Sequence, residues 1–191
     1  MSLDLNSRTG LPPDLRVLLE HYPREVWPEH ANLGAVSRFW LQRHDMFRRL
    51  GTALQAATAQ IREGEMAPAP FRAWFQPRLQ FYLSELNAHH MVEDHHYFPL
   101  IREADPRLAR GFDLLETDHE TIHAALLATA DAGTALLQAG EEDRDRLRAA
   151  ADSYAQASDA LLAMLARHLG DEEDLIVPLI LDRGEAELKL S

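Results

Sequence analysis

Two stretches of this chain, HHMVEDHHYFP at residues 89–99 and HLGDEEDLIVP at residues 168–178, are variants of one pattern. Aligned on their first histidines, they share a Glu four places on, an acid beside it, an apolar pair near the end and a closing Pro. Positions four apart on a helix lie ~40° apart in direction. His89 and Glu93 therefore project from one helical face, as do His168 and Glu172, and each helix offers two metal ligands together.

The rest of the chain supports helix and little else. Glycine-rich turn signals and strand-like alternation are scarce, while long segments repeat apolar residues every three or four places, so the class is all-α. The first long helix is expected from about Leu33 to Arg62, broken by GEMAPAP. The second is expected from about Phe71 to Arg102, with Pro77 kinking it or delaying its start and Pro99 bending its end. Asp105-Pro106 opens the third, since proline is tolerated in a first turn, and it runs to about Gln138. Gly140 closes it, and Glu141, Glu142 and Asp143 place negative charge at the start of the fourth, which continues to about Asp182 with a bend at Pro178. Long helices with short loops predict an antiparallel up-down-up-down four-helix bundle. The expected organisation is an N-terminal arm over 1–30 packed on the bundle, the bundle over 31–184 with internal repeats 31–103 and 106–182, and a tail over 185–191. Leu15, Val17, Leu18 and Trp27 of the arm need burial, and Phe39, Trp40 and Phe47 read as core.

Composition narrows the chemistry. The chain has no cysteine, which excludes disulfides, thiolate metal sites and Cys nucleophiles and leaves imidazole and carboxylate as the strong ligands. A formal charge of −12 gives a nucleic-acid-binding role no electrostatic support. The longest apolar run, around Leu161 to Leu165, falls far short of the ~20 residues of a membrane span, and no basic region followed by an apolar block opens the chain. A cytoplasmic protein is expected.

Ten histidines are the remaining signal. TDHETIH places His119 and His123 four apart on the third helix, and His44 stands in RFWLQRHDMF with aromatic residues four before and three after. The repeat acts as a filter. It pairs His90 with Leu169, His95 with Asp174 and His96 with Leu175, so these three read as partly exposed or as outer groups. His96 lies seven residues after His89 on nearly the same face, which keeps a place at the site open to it. Tyr82, also seven residues from His89, reads as core, with an outer role at the site as the alternative. His21 and His30 lie in the arm and receive no function.

His44, the HHMVEDHHYFP run, DHETIH and the HLGDEEDLIVP run resemble the hemerythrin-like family, also called the HHE cation-binding domain, over about residues 31–182. The resemblance implies a four-helix bundle holding a non-haem di-iron centre, with a bridging oxo or hydroxo group, between its helices. By position it implies His44, His89, Glu93, His119, His123, His168 and Glu172 as the metal ligands. Oxygen-carrying members have an Asp five places after the last-helix His. Here Glu172 lies four places on, as in sensory and bacterial relatives, which argues against oxygen transport in the strict sense.

A count of positions supports a small ligand. Two six-coordinate irons have ~12 positions, of which five histidines, two bridging carboxylates and one bridging hydroxide fill all but one. Without His123 a second position opens and reduction of peroxide or oxygen becomes the better reading. The expected function is binding or sensing oxygen or a related small oxidant. The alternatives are a di-iron redox enzyme acting on peroxide or nitric oxide, or a metal-storage or structural protein. Zinc or manganese are alternative occupants. A sensing role would require an unidentified signalling partner. Phosphotransfer, haem and ferritin-type readings fit the inward carboxylates and the order of His before Glu less well.

Overall fold

The computed structural model describes residues 3–139 and 143–190 and is helical throughout, with no strand among them. A short helix α1 (Val17–His21) lies in the arm. It is followed by α2 (Ala35–Glu63), α3 (Pro68–Val92), α4 (Phe98–Arg102), α5 (Ala109–Gln138) and α6 (Arg144–Arg183). Local chemistry explains the boundaries. Helix α2 stops at Gly64, whose φ of 77° is the left-handed conformation that glycine adopts without a Cβ clash. Helix α3 begins on Pro68, earlier than expected, and runs through Pro77 without a break. Asp105 accepts a hydrogen bond from Arg107 N at 3.0 Å and starts a 3₁₀ turn, Pro106–Leu108, that leads into α5. Asp143 caps α6 by accepting from Arg146 N at 2.9 Å. The expected stop at Gly140 and charges at Glu141 and Glu142 lie outside the described residues.

Helix α2 packs against α3 and α6, and α5 against α6 and α3. The apolar interior is divided. One cluster holds Phe47, Phe75, Leu86, Ile122, Tyr154 and Leu165, and a second holds Phe98, Phe112, Leu115, Leu175 and Leu179. On every long helix the buried histidines and acids fall where the first cluster gives way to the second: His44 on α2, His89 and His90 on α3, Asp118 and His119 on α5, and His168, Asp171, Glu172 and Glu173 on α6. The packing thus leaves a polar layer closed above and below by hydrocarbon.

The arm buries Leu11, Leu15 and Leu18 in the second cluster and Trp27 against Leu33, Val177 and Leu181. Two core expectations are corrected. Val17 remains 39% exposed because the short α1 turns it outward, and Phe39 is 62% exposed because the buried stripe of α2 runs through His44, Phe47 and Leu54, one residue out of phase with it. The tail folds back: Glu185 Oε1 accepts from Ser37 N at 2.7 Å and from Ser37 Oγ at 2.5 Å, and Leu188 and Leu190 are buried. No described helix is long and apolar enough to cross a membrane.

Between α3 and α4, residues Glu93–Tyr97 form a π-helical turn in which Phe98 N–H donates to Glu93 O. Pro99 has no N–H, and its ring crowds the carbonyl four residues back. Widening the turn relieves that conflict, and such turns recur at functional sites. The extra residue changes the helical phase. Phe98 points inward, whereas His96, which a regular helix would hold near the face of His89, is exposed.

Candidate metal centre

The polar layer contains two groups of potential ligand atoms, each within 4.8 Å of one another: His44, His89, Glu93 and Glu172 in the first, and His90, His119 and His168 in the second. All seven are buried. In the first, His44 Nε2 lies 3.0 Å from His89 Nε2, which is 3.1 Å from Glu93 Oε1. In the second, His119 Nε2 lies 3.1 Å from His168 Nε2, and the His90 ring stacks on His119 with centroids 4.1 Å apart.

The two glutamates stand between the groups. Glu93 turns Oε1 toward His89, and its Oε2 is 3.8 Å from His119 Nε2. Glu172 Oε2 lies 3.6 Å from His44 Nε2 and 3.5 Å from His168 Nε2. Each carboxylate can serve both groups at once.

Hydrogen bonds on the far side of each ring decide what the near side can do. His44 Nδ1–H donates to Glu173 Oε1 at 2.9 Å, His119 Nδ1–H to Asp94 Oδ1 at 2.7 Å, and His168 Nδ1–H to Asp118 Oδ2 at 3.3 Å. A neutral imidazole has one N–H, so each Nε2 presents a lone pair. Where both rings carry their single proton on Nδ1, the Nε2 lone pairs of His119 and His168 face each other at 3.1 Å, a contact that a shared cation would convert into two bonds. Glu93 Oε2, both oxygens of Glu172 and His90 Nε2 are buried without a hydrogen-bond partner among the described residues. Buried polar atoms of this kind are rare unless a ligand satisfies them. The residues present thus fit a pair of cations, and the carboxylate–histidine arrangement is the one that orients metal-bound imidazoles.

Electrostatics agree. Burial holds His44, His89, His90 and His168 below the usual imidazole range, so they are neutral and able to ligate. Burial pushes Glu93 up to about 7 against the pull of His119. Glu172 is pushed well above the usual carboxylate range by burial and then by Glu93. Burial would also raise Glu173, but the His44 hydrogen bond and the Arg48 charge outweigh it and bring Glu173 to about 2. Glu93 and Glu172 thus resist ionisation without a nearby positive charge, while the carboxylate behind His44 is firmly anionic.

A cleft of about 230 Å³ reaches the first group from the surface. Val36, Trp40, Val92, Phe98 and Ile176 line it together with Arg43, and His89 and Glu93 form part of its wall. Trp40 Nε1 donates to Glu93 Oε1 at 2.6 Å.

Six of the seven residues singled out from sequence are brought together: His44, His89, Glu93, His119, His168 and Glu172. His123 is not among them. It is exposed, with Nδ1 3.1 Å from Asn87 Oδ1, because the inward stripe of α5 runs through Leu115, His119, Ile122 and Leu126. His90, read from sequence as an outer or exposed group, takes a buried place in the second group. Comparing the two repeats hid it, since its counterpart Leu169 is ordinary core, although the His89-His90 doublet was the available signal. Adjacent helical residues point ~100° apart, which lets His89 and His90 serve different groups. Tyr82 is buried against Phe47 at a ring separation of 6.2 Å and belongs to neither group, and its hydroxyl has no partner among the described residues.

No curated protein and no solved structure gives a significant match. The family model described as the hemerythrin HHE cation binding domain matches residues 35–180, a span that holds every residue of both ligand groups. A match over most of the 191 residues makes this chain a member of the hemerythrin HHE cation-binding family.

Proposed function

We propose that the chain is a non-haem di-iron protein of up-down-up-down four-helix architecture that binds or senses oxygen or a related small oxidant. The observation that carries this reading is the position of Glu93 and Glu172 between two histidine groups, which suits two adjacent cations sharing both carboxylates. His44 and His89 would hold one ion, and His90, His119 and His168 the other. Iron there supplies reversible one-electron chemistry and affinity for oxygen, nitric oxide or peroxide. With His90 in the place that the sequence reading gave to His123, the number of donors available to two ions would be the same, and about one of ~12 positions would remain for a small ligand. A single open position suits a diatomic molecule.

The chain's own groups define what reaches that position. The apolar cleft admits a small uncharged molecule to the side of His89 and Glu93 and discourages ions. Trp40 holds Glu93 in orientation through its indole N–H. The hydrocarbon clusters on both sides keep bulk water from the imidazoles.

Anaerobically iron-loaded protein is expected to contain two irons per chain and to gain near-ultraviolet charge-transfer absorption when air is admitted. An unchanged spectrum would leave only a storage or structural role. Steady-state consumption of peroxide or nitric oxide separates an enzyme from a carrier or sensor, which binds stoichiometrically and stops. The ligand assignment has its own test. His90→Ala should weaken one of the two ions by at least the ~10–100-fold that loss of a ligand's outer partner costs. His123→Ala should leave both ions in place, as read by cobalt titration; equal losses in the two variants would overturn the assignment.

A further inference from the structure

Two of the three carboxylates that hold candidate ligand histidines are themselves held by arginines from the N-terminal arm, outside residues 35–180 of the family match. Arg8 is 5% exposed. Its Nε donates to Asp171 Oδ2 at 2.7 Å, its Nη1 to Asp118 Oδ1 at 2.7 Å and to Leu3 O at 3.0 Å, and its Nη2 to Asp118 Oδ2. That last oxygen also accepts from His168 Nδ1. On the opposite side, Arg24 Nη1 donates to Glu173 Oε2 at 2.9 Å, its Nε to Asp174 Oδ1 at 2.7 Å and its Nη2 to Gly170 O at 3.0 Å. Glu173 Oε1 accepts from His44 Nδ1 and, at 2.7 Å, from Arg48 Nη2. Asp94, the partner of His119, has a 30% exposed side chain and no arginine partner among the described residues.

A carboxylate that accepts an imidazole N–H draws the proton toward itself and makes the opposite nitrogen a stronger donor to a cation. An arginine forked onto that carboxylate takes up part of its charge and weakens the pull. His168 and His44 thus have arginine-moderated partners, whereas His119 faces an unmoderated one. The burial of Arg8 follows from this chain of contacts: a guanidinium held among apolar residues is tolerated because two carboxylates face it.

We propose that the N-terminal arm forms the outer wall of the cation site. Arg8 is a positioning residue that fixes the orientation and donor strength of His168 through Asp118, and Arg24 does the same for His44 through Glu173. The proposal rests on the two-cation reading above.

Full-length wild type, Arg8→Gln, Arg8→Lys, Asp118→Asn and Arg24→Gln are compared after iron and cobalt loading, reading ions bound per chain, affinity and midpoint potential. Arg8→Gln leaves Asp118 more anionic, so it should favour the ferric state and lower the potential. Asp118→Asn still accepts from His168 but carries no charge, so it should raise the potential. Arg8→Lys keeps the charge without the fork and should fall between wild type and Arg8→Gln. One ion should lose about 10–100-fold in affinity in Asp118→Asn, which removes the charge of the partner that His168 donates to. Arg24→Gln should shift less, because Arg48 still holds Glu173. A purely structural role would move the Arg8 and Asp118 variants in the same direction, and that result would overturn the proposal, as would unchanged potentials in a protein that binds two ions. If Arg8→Gln fails to fold, the opposed shifts of Arg8→Lys and Asp118→Asn decide. Wild type that takes up no second cation overturns the two-cation reading itself, and its stoichiometry shows this before any variant is made.

Discussion

Replacing both bridging candidates, Glu93→Gln together with Glu172→Gln, should abolish cation uptake and at the same time stabilise the metal-free protein at alkaline pH. The two effects share a cause. In the metal-free fold these carboxyls are buried, and burial holds Glu93 up to about 7 and pushes Glu172 well above the usual carboxylate range. A carboxyl whose folded pKa is raised contributes stability that is fully present below its unfolded value of ~4.3 and is lost as pH rises through the folded value. For Glu93 alone the loss by pH 8 is about 3 kcal/mol, at ~1.36 kcal/mol per pKa unit. Glutamine resembles the protonated acid and never ionises. The double variant should therefore melt close to wild type at pH 5 and about 10 °C higher at pH 8, at ~2–4 °C per kcal/mol for a chain of this size. Calorimetry of chelator-treated protein at both pH values checks this. A variant that melts lower than wild type at pH 8, or that still binds two ions, would contradict the role assigned to the pair.

Loading the wild-type protein should raise its melting temperature, and the increment should grow with pH. Binding to the folded state alone contributes about 4 kcal/mol at a free ion concentration a thousand times Kd, or roughly 10 °C here. The sign of the pH dependence follows from which groups give up protons. The four candidate ligand histidines held low by burial are already neutral near pH 7, so ligation would remove little from them. Glu93 and Glu172 must ionise, so binding releases protons and strengthens as pH rises toward and past about 7. Below ~6.5 the unfolded chain protonates these histidines before the fold does, which lowers the stability of loaded and metal-free protein alike and leaves the increment to the glutamates. Zinc or cobalt titrations at pH 6 and pH 8, with proton release recorded in weak buffer, should show tighter binding and a larger thermal shift at pH 8. A shift that shrinks with pH would mean that the glutamates are not ligands.

How far the site was legible in the chain depended on the kind of signal. The HxxxE pairs, His89 with Glu93 and His168 with Glu172, were readable because a four-residue spacing brings two side chains onto one face whatever the rest of the fold does. His44 and His119 were readable from the apolar residues one turn away on either side. His123 sits at the same spacing from His119 as Glu93 from His89, yet it faces solvent, because spacing places two residues near one another and does not say which of them the neighbouring helices cover. His90 was lost for the converse reason: comparison of the repeats assumed that both halves contribute alike, whereas the second half fills that position with Leu169. The exposure of His96 depends on the π turn after Val92, a change of phase that no periodic count includes.

The outer layer was the least visible. Asp94, Asp118 and Glu173 each lie one residue before or after a ligand candidate, where a helical wheel turns them ~100° from the inward face. They reach His119, His168 and His44 on neighbouring helices, contacts that exist only once the helices are packed. Arg8 reaches Asp118 across 110 residues of sequence.

Sequence alone determined the helical class and the face on which the paired ligands lie, because both follow from repeats of a few residues along one backbone. Tertiary structure alone decided which histidines are buried, which tautomer each adopts and which arginines balance the carboxylates behind them. Those properties depend on what a neighbouring segment brings to within about 3 Å of a given atom, the range over which hydrogen bonds and the burial of charge act.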